Sequence, residues 1–115
     1  MTIASAKRKG ADTQRAVAAY LAANGWPYAT DVGAGRTGND ILGVPGLCIE
    51  VKARRDFSPQ AWLKQAATGG AGLPLCVWRP DGLGLAKVAD WSLMMRLGDG
   101  VTLLRAAGYG DPEEA

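Results

Sequence analysis

The stretch Gly38-Asn39-Asp40-Ile41-Leu42-Gly43-Val44-Pro45-Gly46-Leu47-Cys48-Ile49-Glu50-Val51-Lys52 decides how this chain is read. Two short apolar runs flank a Pro-Gly turn, the pattern of two strands joined by a hairpin. Folding about Pro45 sets Asp40 opposite Glu50, with Cα atoms about 4.5–5.5 Å apart on one sheet face. Like charges held so close destabilise a sheet, and a divalent cation between them removes the conflict. Lys52 shares the parity of Glu50 and projects from the same face, while Ile49 and Val51 point to the other. Two hard oxygen ligands plus a lysine suit attack of water on a phosphodiester, the metal activating the water and the lysine balancing developing charge. From spacing alone, a solvated hairpin edge that happens to carry these three residues is the competing reading.

The surrounding sequence narrows the chemistry. The chain has 115 residues, enough for one domain. A composition of 48% hydrophobic and 21% charged residues is that of a globular protein and argues against disorder. Histidine is absent, which excludes imidazole bases, Ser-His and Cys-His nucleophiles and His-ligated metals. Cys48 and Cys76 are too few for a disulfide scaffold or a four-cysteine zinc site, and their apolar surroundings suggest a reducing compartment. No apolar run is long enough to span a membrane, and residues 1–10 lack a signal-peptide core, so a cytoplasmic protein is expected. Residues 1–64 hold nine Lys or Arg against five acids, and residues 65–115 hold four against six. A basic front half points to a polyanion such as DNA.

Working outward, residues 1–9 read as a flexible basic arm and 10–109 as one domain, with 110–115 as an acidic tail. Asp12 is a candidate N-cap for a helix with an inward stripe of Val17, Tyr20, Leu21 and Asn24, Gln14 lying on the same face. Asn24-Gly25 ends it. Strands are expected at 28–32, 40–43, 47–52, 73–78 and 83–88, with a helix over 59–67 capped by Ser58. Asp90 starts a further helix through Leu97, and 101–104 is a last strand or a helical turn. The predicted class is α/β, a central mixed sheet flanked by helices. Trp62, Trp78 and Trp91 read as core or interface, and the stripe Trp91, Met94, Met95 as core or a two-fold dimer contact.

Asp40, nine intervening residues and Glu50-Val51-Lys52, between two helices, resemble the core of the PD-(D/E)xK nuclease superfamily. Arg8-Lys9-Gly10 before the first helix, Asn24-Gly25-Trp26-Pro27-Tyr28, Asp40 to Gly46 and Ile49 to Lys52 are similar to Holliday-junction resolvases. The likeness is to the archaeal enzymes and, more closely, to small actinobacteriophage proteins carrying that label. It covers residues 7 to 66 and then fades into general element order. The resemblance implies a small restriction-endonuclease-like fold and a Mg²⁺-dependent endonuclease (Mn²⁺ a possible substitute) acting on branched or duplex DNA as a homodimer. Phage encoding would place it in the host cytoplasm. It implies a metal on Asp40, Glu50 and a main-chain carbonyl near Val51, with Lys52 beside the attacked phosphate. Family members often carry a glutamate where this chain has Gln14, and phage relatives an acid at or near Gln65. Gln14 can hold a metal-bound water but cannot act as an anionic ligand; Gln65 is expected to support the site, touching DNA or the site lysine. Lys9, Arg36, Arg54 and Arg55 are candidate phosphate contacts. A nicking or flap endonuclease and a non-catalytic DNA-binding module stay open as alternatives.

Overall fold

β3 (Leu47–Lys52), α2 (Pro59–Ala67) and β4 (Leu73–Trp78) form at the residues that the pattern predicts. They belong to a computed structural model of the chain, which describes residues 3–33 and 38–112. Around them lie α1 (Ile3–Ala23), β1 (Thr30–Asp31), β2 (Ile41–Leu42), a 3-10 helix (Leu85–Asp90), β5 (Ser92–Met94) and α3 (Leu97–Ala106). The result is an α/β fold with a small mixed sheet. β4 pairs parallel with β3 and antiparallel with β5, and β1 pairs antiparallel with β2 as a separate ribbon. Among the described residues no helix is long and apolar enough to cross a membrane.

Strand parity divides the core. Leu47, Ile49, Val51, Leu73, Leu75 and Val77 face α1, where Val17 and Ala18 are buried against them. Cys76 and Trp78 face α2 and pack with Trp62, Leu63 and Met94. β3 is buried on both sides, as a strand beneath two helices must be. Phe57 closes the second cluster, edge-on to Trp62 at 5.5 Å and tilted against Trp78 at 4.7 Å. Pro59 occupies the first turn of α2; Ser58 stands at the cap position, and its side chain makes no cap hydrogen bond.

The expected arm is a correction. Residues 3–9 are the start of α1, because Ala4, Ala6, Lys7, Arg8 and Lys9 are strong helix formers and a single interior glycine, Gly10, costs only about 1 kcal/mol. Asp12 therefore lies inside the helix and pairs with Arg15 at 3.1 Å. The inward face is also shifted. Thr13 is fully buried, whereas Tyr20 is 41% exposed and Asn24 bonds back to the Tyr20 carbonyl. Residues 1, 2 and 113–115, parts of the expected arm and tail, lie outside the described residues.

The expected hairpin ladder between β2 and β3 is a second correction. Val44-Pro45-Gly46-Leu47 is a tight turn, with Gly46 at φ +80 and the Leu47 N–H donating to the Val44 carbonyl. Beyond it β2 leaves β3 to pair with β1 (Thr30↔Leu42, Asp31↔Ile41). The Asp40 N–H still donates to the Ile49 carbonyl at 2.9 Å. Gly43 makes the departure possible: at φ +76, any Cβ there would collide with the Tyr28 carbonyl. Gly43→Ala should cost at least about 2 kcal/mol, read as a lowered urea midpoint with an unchanged slope.

The C-terminal third departs most. Residues 83–88, expected as a strand, contain most of the 3-10 helix, and the expected helix from Asp90 is β5. The spacing of Trp91, Met94 and Met95 fits either period. Flanking the strand, Trp91 and Met95 join the α1-side core, and Met94 within it joins the α2-side cluster. The stripe thus contributes to both core clusters, with Met94 and Met95 partly buried. Residues 101–104 fall inside α3, which has no buried residue and exposes Leu97, Val101 and Leu104 on one side.

Candidate active site

β3 is an edge strand of its sheet, and its alternation sorts the chemistry. The Ile49 carbonyl and the Val51 N–H point outward to Asp40, whereas the Lys52 carbonyl points inward and accepts from the Arg79 N–H. The N–H and carbonyl of one strand residue point the same way, so the Val51 carbonyl also faces the Asp40 side. The Asp40 carboxylate, on the residue just before β2, reaches across and accepts the Val51 N–H at 2.7 Å. This side-chain bond replaces the next rung of the missing ladder.

Glu50 and Lys52 project toward α2, opposite Cys76 and Trp78 of β4. Glu50 is 2% exposed and Asp40 8%. Lys52 Nζ stands 3.7 Å from Glu50 Oε2 and donates to Gln65 Oε1 on α2 at 2.9 Å. Gln65 is thus brought to the site lysine. Burial is the main force on both carboxyls. It raises Asp40 above its ordinary value, against the Val51 hydrogen bond that lowers it. It pushes Glu50 up to about 7, and the neighbouring Asp40 charge adds to the rise while Lys52 opposes it. The two carboxyls are close enough to titrate as a pair. Cys76, across the strand pair from Glu50, is pushed up to about 12 by burial and is inert as a nucleophile.

A divalent cation suits this donor set. Asp40 and Glu50 are buried side by side and the Val51 carbonyl faces the Asp40 side, and a cation would relieve the repulsion between the two acids. Among the described residues no group of three or more His, Cys, Asp or Glu could hold an ion. An ion held by Asp40 and Glu50 would therefore draw most of its shell from water and backbone oxygen.

Gln14 lies on α1, next to buried Thr13, and its Oε1 is buried without a hydrogen-bond partner among the described residues. Asn39 Oδ1, one residue before Asp40, is in the same condition and packs on Gly69 at the end of α2. Sequence reasoning did not single out Asn39; its place between a glycine loop and the site acid was the available signal.

The chain leaves the site along a groove of about 800 Å³ lined by Lys9, Ala53, Arg54, Arg55, Asp56, Asp81 and Gly82. Three of the four expected phosphate contacts are brought together here, Arg54 and Arg55 from the segment after Lys52 and Lys9 from α1. Arg36 lies outside the described residues. Each of the three is paired with an acid: Arg54 with Asp56 at 3.0 Å, Arg55 with Asp81 at 2.9 Å and Lys9 with Asp81 at 3.3 Å. No protein-family model, curated protein or solved structure matches this chain.

Proposed function

We propose that the chain is a Mg²⁺-dependent, structure-selective DNA endonuclease of Holliday-junction-resolvase type, built on a small restriction-endonuclease-like fold and working in the cytoplasm. The observation that carries this reading is the buried Asp40–Glu50 pair with the Lys52 ammonium 3.7 Å from Glu50. Burying two acids and a base together costs stability, and such perturbed clusters concentrate at functional sites. Asp40, Glu50 and the Val51 carbonyl would hold the metal. When bound, it polarises the scissile phosphate and lowers the pKa of a coordinated water.

The protein's own residues supply the rest. Lys52 has three ammonium protons; Gln65 takes one and Glu50 attracts another. The third is left for a phosphate oxygen or the attacking water, which it would orient and whose developing charge it would offset. Lys9, Arg54 and Arg55 would grip the backbone leading into the site. Such contacts carry no sequence information, so selectivity falls to the shape of branched DNA. Resolution needs two symmetric cuts and hence a homodimer; the exposed apolar stripe Leu97, Val101 and Leu104 supports a second copy.

The test is cleavage of a labelled four-way junction and its matching linear duplex in Mg²⁺. Paired cuts in the junction are expected, falling to background in Asp40→Asn and by about 10²–10³-fold in Lys52→Ala. Equal cutting of both substrates would replace resolvase with nicking or flap activity. A non-catalytic module is favoured by one observation, the amide of Gln14 where the resembling family carries an acid. Junction binding without product in Mg²⁺ or Mn²⁺ would establish that alternative.

A further inference from the structure

Asp81 stands inside the basic groove, where an acid works against DNA binding, and it is the shared partner of two groove cations. Its Oδ1 accepts from Lys9 Nζ and its Oδ2 from Arg55 Nε, one cation on each oxygen. Two adjacent oxygens of a phosphodiester present the same pair of acceptors to the same two donors. Those partners are 72 and 26 residues away, on α1 and on the segment after β3. All three groups reach solvent: the side chains of Arg55, Asp81 and Lys9 are 91%, 48% and 26% exposed. Arg55 and then Lys9 hold the Asp81 carboxyl below its ordinary range, so it is charged wherever DNA would bind.

A structural tether is the other use for such a residue, and that position is already filled. Arg79 donates from Nε to the Leu83 carbonyl and from Nη1 to Thr13 Oγ1, and lies over the Trp91 ring at 5.3 Å. These contacts anchor the turn after β4 to α1 without Asp81. Within that turn Gly82 has φ +88, and the Leu83 N–H closes on the Pro80 carbonyl. The Asp81 side chain is thus free to rotate outward while the turn stays in place.

We infer that Asp81 is an internal counter-ion occupying a phosphate subsite between Lys9 and Arg55, which a DNA phosphate enters by displacing it. The inference rests on the reading of the groove as a DNA interface and deepens it. Displacement lowers affinity, and it reduces the number of counterions that binding releases, because one unit of the charge on the two cations begins already neutralised.

The experiment measures affinity for the four-way junction and the duplex in EDTA over a salt series, using Asp81→Asn beside wild type. Asp99→Asn, on α3 away from the groove, removes the same net charge and serves as control. Asp81→Asn is expected to bind about tenfold more tightly, with a log–log salt slope steeper by about one, while Asp99→Asn stays within twofold. A folded Asp81→Asn protein that binds as wild type does, or more weakly, overturns the inference, as does an equal gain in Asp99→Asn. Junction cleavage in Mg²⁺ with unchanged Asp81→Asn affinity sinks the counter-ion and leaves the nuclease. Tighter binding with no cleavage by either protein keeps the counter-ion and removes the nuclease. If neither protein binds DNA, both fall.

Discussion

Glu50→Gln is expected to inactivate the protein and, above pH 7, to stabilise it. The folded-state carboxyl titrates near 7, against 4.5 for an unburied glutamate. Between those values the folded chain binds more protons than the unfolded chain, so stability falls as pH rises from 4.5 to 7. Below 4.5 both states are protonated and there is no penalty. Above 7 the whole penalty is present, about 3 kcal/mol for a shift of this size. Glutamine occupies nearly the same volume and carries no charge at any pH, so this term disappears. Part of the gain is offset because Lys52 loses its partner at 3.7 Å, although Gln65 still accepts its proton. Urea unfolding in EDTA should therefore show the two proteins alike at pH 4 and the variant ahead at pH 8. A variant weaker at pH 8 would mean that attraction to Lys52 outweighs burial at this carboxyl. Mg²⁺ gives a second readout, since an ion held by Glu50 should raise the wild-type midpoint and leave the variant's unchanged.

That conflict between burial and charge was legible in the sequence as proximity, though not by the route that creates it. The spacing from Asp40 to Glu50 suggested a ladder, and the tight turn at Pro45-Gly46 is there. What joins the acids is one backbone bond to Ile49 and the Asp40 side chain capping the Val51 N–H. A two-residue strand that leaves for another partner has no signature in periodicity. β3, α2 and β4 were legible because each is bounded by Pro or Gly and carries its apolar residues densely. Residues 83–96 were not, because Trp91, Met94 and Met95 satisfy both periods, and the choice is made by the free edge of β4, which needs a strand. Asp81 could not be weighed from sequence at all: its meaning comes from cations that only the fold brings near.

Lys52 owes its position to packing beneath it. Gln65, which accepts its proton, stands three residues after Trp62, and Trp62 is 4% exposed among Leu63, Cys76, Trp78 and Phe57. Removing that indole by Trp62→Ala should cost about 3–5 kcal/mol, a large share of the stability of a domain this size. Gln65→Ala removes the acceptor while the residue beneath it stays, and because Gln65 is exposed its stability cost should stay within about 1 kcal/mol. Under the proposed function the two variants should separate as fold and alignment do. Trp62→Phe, which keeps an aromatic ring against Phe57, should recover most of the stability and the cleavage rate. Gln65→Ala should keep its urea midpoint and lose rate, through kcat rather than affinity for DNA, since the groove cations are untouched. Unchanged kcat in Gln65→Ala would show that Glu50 alone holds the ammonium and that α2 serves the site only as a wall.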